Sequence, residues 1–195
     1  MTTHPQAKLP TLVVLCKRPK LNQGKQRLAA TIGAEPALRL ARRFLQCTLE
    51  DARQWPGPVV LSPASEEDCD WAEELIEKAL IKNTIVCPQQ SGNLGRRLMA
   101  VDSQLRQQGH REILYIGTDA PMLEPQHYQA AIQSFQQMTV VLSAASDGGV
   151  TMMGSSCPWP DIEPLPWSTE HLGGALKECC NKAGLSVGYI LPSYD

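Results

Sequence analysis

Residues 112–121 read Glu-Ile-Leu-Tyr-Ile-Gly-Thr-Asp-Ala-Pro. The four apolar residues Ile113, Leu114, Tyr115 and Ile116 form a continuous run with no polar alternation, the pattern of a strand buried on both faces. Gly117 and Thr118 then carry the chain out of the strand, which leaves Asp119 at the lip of the sheet. Short apolar runs of the same kind recur at 11–16, 59–61, 84–87, 139–143 and 186–191, and 150–153 is a further candidate.

The stretches between these runs have a different period. In 35–54 the residues Ala37, Leu38, Ala41, Phe44, Leu45, Thr48, Leu49 and Ala52 recur at helical spacing, with Arg39, Arg42 and Arg43 mostly on the other face. Ser65 is placed to cap a helix whose first turn holds Glu66, Glu67 and Asp68, and Trp71, Leu75, Ile76, Ala79 and Leu80 form its stripe. Further helices are expected over 94–108 with Gly109 as the stop, over 125–137 with Pro125 in the first turn, and over 168–183 ending at Gly184. Strands therefore alternate with helices along the chain. The expected fold class is α/β, with a mostly parallel sheet covered on two faces.

The chain has 195 residues, 43% hydrophobic and 19% charged, with a formal net charge of -2. That length suits one core and one domain, expected to span 1–195 with residues 1–10 frayed. No excess of either charge points to nucleic acid or to a membrane surface. The apolar run at 12–15 is too short for a signal-peptide core, and no window nears the ~20 apolar residues of a membrane span, so a cytoplasmic protein with no membrane insertion is expected. The seven cysteines are irregularly spaced and lack Cys-x-x-Cys, which argues against a disulfide framework or a zinc site. His4, His110, His127 and His171 are scattered without metal-ligand spacing, and neither a catalytic triad nor a Gly-x-Gly-x-x-Gly occurs.

In a sheet of this kind ligands bind beyond the carboxyl ends of the strands. Four loops fall there. Residues 17–28 offer Lys17, Arg18, Lys20, Lys25 and Arg27 to phosphates, with Gly24 allowing close approach, although the spacing is not that of a P-loop and a solvated basic loop has the same composition. Residues 89–97 combine Gln90, Gly92, Asn93 and Gly95 at a helix entry, suited either to a base or phosphate or simply to starting the helix. Asp119 could hold Mg²⁺ or Mn²⁺ against a diphosphate, because hard cations take oxygen ligands and neutralise the leaving group. Asp119 could equally cap the turn before Pro121. Asp147-Gly148-Gly149 is a strong hairpin-turn signal and also presents a carboxylate.

Taken together these loops resemble the DUF2064 branch of the glycosyltransferase-A (GT-A) superfamily. The resemblance rests on Cys16-Lys17-Arg18-Pro19 with Gly24-Lys25-Gln26-Arg27-Leu28-Ala29, on residues 90–97, on Ile116-Gly117-Thr118-Asp119-Ala120-Pro121, on Ser146-Asp147-Gly148-Gly149, and on Pro166-Trp167-Ser168-Thr169. It implies a three-layer α/β/α, Rossmann-like mixed sheet of about seven strands and a nucleotide site over the strand ends. It further implies that Lys17, Lys25 and Arg27 with Gln90, Gly92, Asn93, Gly95 and Thr118 face the nucleotide, and that Asp119 holds the metal. Asp147 would lie across the pocket with Gly148, Gly149, Trp167 and Ser168 on the acceptor side. The sequence departs from the family pattern at Asn93, where Asp is usual, at Val150-Thr151, where an aromatic pair is usual, at Leu21-Asn22, and in ending at Asp195.

The activity this implies is a metal-dependent transfer from an activated nucleotide to a small-molecule acceptor, foremost glycosyl transfer from a nucleotide-sugar. The alternatives are nucleotidyl transfer from a triphosphate to a phosphorylated small molecule, and a non-catalytic nucleotide-binding or scaffold protein. Apolar surface for a homodimer is expected near Trp159 and Trp167.

Overall fold

The computed structural model describes residues 9–24 and 26–193. Most of the terminus expected to fray, and Lys25, lie outside the described residues, as does the side chain of Arg27.

The chain enters at β1 (Thr11–Cys16) and passes through α1 (Gln26–Ile32) and α2 (Ala34–Gln54) to β2 (Val59–Pro63). A single 3-10 turn at Glu66–Asp68 leads into α3 (Cys69–Ala79), then β3 (Thr84–Val86), α4 (Leu94–Gln107) and β4 (Ile113–Gly117). The second half runs α5 (Pro125–Ser134), β5 (Val140–Ala144), β6 (Val150–Ser155), α6 (Leu172–Lys182) and β7 (Val187–Tyr189). The strands form one seven-stranded sheet in the order β3-β2-β1-β4-β6-β5-β7. Only β6 runs antiparallel to its neighbours β4 and β5; the other pairs are parallel.

The period of two along each strand sorts the core into two layers. Leu12, Val14, Leu61, Leu114 and Ile116 face α2, α3 and α5 through Leu49, Ala72 and Ala131. Val13, Val60, Ile113, Tyr115 and Leu142 face α4 and α6 through Leu98, Leu105, Leu176 and Cys180. The result is the three-layer α/β/α sheet that the alternation of runs requires.

The elements differ from the expected ones at identifiable points. A two-turn helix, α1, interrupts what reads as one basic loop over 17–28. The Ser65 side chain makes no capping bond; its Oγ lies 3.5 Å from Asp68 Oδ2, and the 3-10 turn precedes α3. α5 stops at Ser134, three residues early. The last helix starts at Leu172 rather than at residue 168, because Ser168 has a left-handed φ of 64° and Thr169 Oγ1 donates to Pro166 O at 2.7 Å. Trp159 is buried in the second core layer and Trp167 is packed against it, so neither supplies the free apolar face on which the dimer expectation rested.

Candidate active site

The chain moves outward from β1 to β2 and β3, then returns to place β4 on the other side of β1. Ligands in open α/β sheets sit at such a reversal, beyond the carboxyl ends of the strands. A cleft of about 840 Å³ opens there. The loop after β1 supplies Lys17 and Arg18, the loop after β4 supplies Thr118 and Asp119, and the β5–β6 turn supplies Asp147 and Gly149. β6 runs antiparallel, so that turn falls at the same end of the sheet as the β1 and β4 loops. Trp167, Ser168 and Glu170 close the far side.

On the cationic side, Asp68 organises the loop after β1. It is buried, with Lys20 Nζ 3.4 Å and Arg18 Nη1 3.7 Å from its Oδ1. Lys17 has no carboxylate partner among the described residues and stands exposed at the cleft. Cys16 lines the same wall, but burial, reinforced by Asp68, pushes its thiol up to about 12, so it stays protonated and is not a nucleophile at neutral pH.

The β5–β6 turn is the hairpin that Asp-Gly-Gly signals. Ala145 N donates to Gly149 O at 3.0 Å, and Asp147 Oδ1 accepts from Gly149 N at 2.9 Å. One carboxylate oxygen therefore holds the turn while the exposed side chain borders the cleft. Gly148, at a φ of 91°, does not line the cleft; its would-be Cβ collides with Glu170 O, and its own carbonyl accepts from Gly173 N at 3.2 Å. The absence of a side chain at Gly148 thus packs the hairpin onto the start of α6.

The helix-entry loop does something other than line the cleft. Asn93 caps α4, its Oδ1 accepting from Arg96 N at 2.9 Å, and its Nδ2 donates to Glu163 O at 2.8 Å. Gly95 is buried against Trp167 Nε1 and Ile162 O, while Trp167 Nε1 donates to Ile162 O at 2.9 Å. Gln90, Gly92, Asn93 and Gly95 lie outside the cleft lining; Leu94, Arg97 and Leu98 on the next face of α4 are inside it. Of the sequence-derived residues the structure brings together Lys17, Thr118, Asp119, Asp147, Gly149, Trp167 and Ser168. Arg18 of the same basic loop joins them, and the structure adds Cys16, Gln89, Arg97 and Glu170. Gln89 is buried, and its Nε2 donates to Ser62 O at 2.7 Å. A signal for Arg97 did exist, since positions 94, 97 and 98 share a helix face.

Tyr115 closes the floor of the cleft, and a buried network fixes it. Its hydroxyl donates to Asp102 Oδ1 at 2.8 Å, and Arg106 grips the same carboxylate at 2.6 and 3.1 Å. Among the described residues no three His, Cys, Asp or Glu side chains converge as a metal cage. The acidic donors at the cleft are Asp119, Asp147 and Glu170. That set fits a Mg²⁺- or Mn²⁺-type ion held by one or two carboxylates and completed by substrate oxygens, the usual way Mg²⁺ is bound beside phosphates.

The same α/β/α fold is found in solved structures of low sequence identity. A protein from Desulfovibrio desulfuricans G20, proposed to be a nucleotide-diphospho-sugar transferase, is 21% identical, with 96% of this chain and 82% of that chain covered at a TM-score of 0.83. The 4-diphosphocytidyl-2C-methyl-D-erythritol synthase of Anaerococcus prevotii DSM 20548 is 11% identical, with 96% and 90% covered and a TM-score of 0.60. Rv0371c from Mycobacterium tuberculosis H37Rv, in complex with manganese, is 17% identical, with 95% and 89% covered and a TM-score of 0.53. Residues 44–169 match the family described as an uncharacterized protein conserved in bacteria, DUF2064, and the chain belongs to that family. No curated protein matches the sequence. No helix among the described residues is long and apolar enough to cross a membrane.

Proposed function

We propose that the protein is a metal-dependent transferase that moves a glycosyl group from a nucleotide-sugar to a small-molecule acceptor. The observation that carries this reading is the convergence of three loops on one cleft at the topological switch point: Lys17 after β1, Thr118 and Asp119 after β4, and Asp147 in the β5–β6 turn. The similarity to a proposed nucleotide-diphospho-sugar transferase supports it.

Lys17, together with Lys25 and Arg27, binds the donor's diphosphate, and Thr118 offers a hydroxyl to the same group. Asp119 holds the Mg²⁺ or Mn²⁺, which when bound supplies charge to stabilise the departing diphosphate. Asp147, across the cleft, accepts the proton of the acceptor hydroxyl as its oxygen bonds to the sugar carbon and the carbon–phosphate oxygen bond breaks. Trp167, Ser168 and Gly149 shape the acceptor side. Gln90, Gly92, Asn93 and Gly95 have no direct part, and the missing carboxylate at Asn93 takes nothing from the cleft.

A nucleotidyl version, in which an acceptor phosphate attacks the α-phosphate of a triphosphate, uses the same cations and Asp119. The likeness to a 4-diphosphocytidyl-2C-methyl-D-erythritol synthase favours it. Product analysis separates the two: a released nucleoside diphosphate supports glycosyl transfer and pyrophosphate overturns it. A thermal-shift screen of nucleotides and nucleotide-sugars, with and without Mg²⁺ or Mn²⁺, tests the shared part. A ligand at a hundred times its dissociation constant adds ~2.7 kcal/mol, or roughly 5–11 °C for a chain of this length. The expected result is a metal-dependent rise with one nucleotide class that is lost in Asp119→Asn. No rise with any nucleotide refutes the transferase and leaves a scaffold.

A further inference from the structure

Arg97 sits in the first turns of α4 with Leu94 and Leu98 beside it, and all three line the cleft. Its main chain is satisfied, the N–H donating to Asn93 O at 3.1 Å. Its half-buried side chain is satisfied less fully: Nε is buried with no hydrogen-bond partner, and no carboxylate pairs with the guanidinium among the described residues. The contrast with other arginines is direct: Arg106 is held by Asp102 at 2.6 Å, and Arg18 lies 3.7 Å from Asp68. Burial alone, with no opposing charge, holds the Arg97 guanidinium below its ordinary value. A buried N–H of a charged group without an acceptor is unfavourable, so the arrangement makes sense where a ligand in the cleft engages the guanidinium. A guanidinium fork matches phosphate or carboxylate oxygens two at a time, which a neutral hydroxyl or ring carbonyl does not.

Arg97 shares its side of the cleft with the Trp167 loop. Gly95, on the same helix, packs on Trp167, so α4 and the 166–170 loop form one wall. Lys17 and Asp119 come from other elements, the loops after β1 and β4.

We propose that Arg97 anchors a phosphate or carboxylate group carried by the acceptor, which makes the second substrate an anionic small molecule. The word acceptor rests on the transferase reading; the anion site does not.

The test follows the ¹⁵Nε–Hε signal of Arg97, assigned by its loss in Arg97→Lys, during titration with inorganic phosphate and separately with acetate. A saturable shift with either anion is expected. Phosphate alone identifies a phosphorylated acceptor and acetate alone a carboxylate-bearing one, both in favour. Arg97→Met should weaken that anion roughly tenfold or more while leaving the melting temperature unchanged or higher. Arg97→Lys should retain part of the affinity. A signal unmoved by both anions overturns the proposal, as does an Arg97→Met protein that binds the anion as tightly as wild type. The phosphate response should also survive in Asp119→Asn. If the signal moves only with nucleotide and Mg²⁺, and not in Asp119→Asn, Arg97 serves the donor and the acceptor assignment is overturned. An intact phosphate response in a protein that binds no nucleotide overturns the transferase reading and leaves the anion site standing.

Discussion

Gly95→Ala sets helix propensity against tertiary packing. Gly95 lies buried in the first turn of α4, where alanine is intrinsically favoured by about 1 kcal/mol. Its surroundings oppose that gain. A Cβ would stand 2.6 Å from Ile162 O and 2.9 Å from Glu163 Cα, and closer still to Trp167 Nε1. Two of those neighbours are backbone, so the 162–167 loop must move as a unit. Overpacking of this kind costs about 1–3 kcal/mol. Moving the loop also breaks the bond from Trp167 Nε1 to Ile162 O, about 1–3 kcal/mol for groups left without partners. Against the gain of about 1 kcal/mol, the net loss is about 3 kcal/mol, or roughly 6–12 °C in melting temperature at 2–4 °C per kcal/mol for a chain of this size. Circular dichroism melts of wild type and variant measure it, and tryptophan emission reports the displacement of Trp167. A variant that melts at or above the wild-type temperature would refute the packing of α4 on the Trp167 loop.

Removing the carboxylate in Asp102→Ala leaves the half-buried Arg106 with only the Arg111 and Ser155 carbonyls and Tyr115 without its acceptor, and urea denaturation should show a loss of about 3 kcal/mol. Tyr115→Phe, which leaves that ion pair intact, should cost only about 1 kcal/mol in the same assay. Asn93→Asp keeps the cap of α4 but loses the donor to Glu163 O, and a melt lowered by about 1 kcal/mol is expected, with the metal-dependent nucleotide shift unchanged. Burial holds His110 below its ordinary 6.5, so the unfolded chain takes up a proton that the folded one resists. Its contribution is present above the unfolded value and is lost as pH falls from there through the folded one. The urea midpoint of wild type relative to His110→Gln should therefore fall between about pH 7 and 5, and a difference that is flat across this range contradicts the burial of His110.

The architecture was legible because strands buried on both faces must be continuous apolar runs, and Ile113–Ile116 and Val13–Leu15 are such runs. The direction of β6 was not, because 150–153 has the same apolar character whichever way it runs, and only its pairing with Met152 and Met153 against β4 and β5 decides it. α1 escaped notice because its first residues fall in a segment rich in cations, where local composition reads as loop. The start of α6 shifted because Thr169 bonds back to Pro166, a local competition that helix periodicity does not register. That Asp119 and Asp147 border one cleft was legible because each comes two or three residues after a strand end. The glycines of the helix-entry loop were legible as special positions, but what approaches Gly95 was not: it is Trp167, across a long stretch of sequence. Arg97 is an ordinary helical arginine in sequence, and its lack of a partner is a property of the assembled wall alone.

The wall made by α4, the 166–170 loop and the β5–β6 turn is joined at Gly95 and Gly148, each in contact with the backbone of the neighbouring segment. Parts locked by main chain cannot slide past one another when a single side chain changes. Over evolutionary time such a wall is a fixed frame: Arg97 and Glu170 can be exchanged on it one by one, each altering what the cleft admits without reshaping its outline. Diversification within the family would then proceed by changing fittings on a constant chassis, and loop length between Gly95 and Gly148 would vary less than the identity of the residues that face inward.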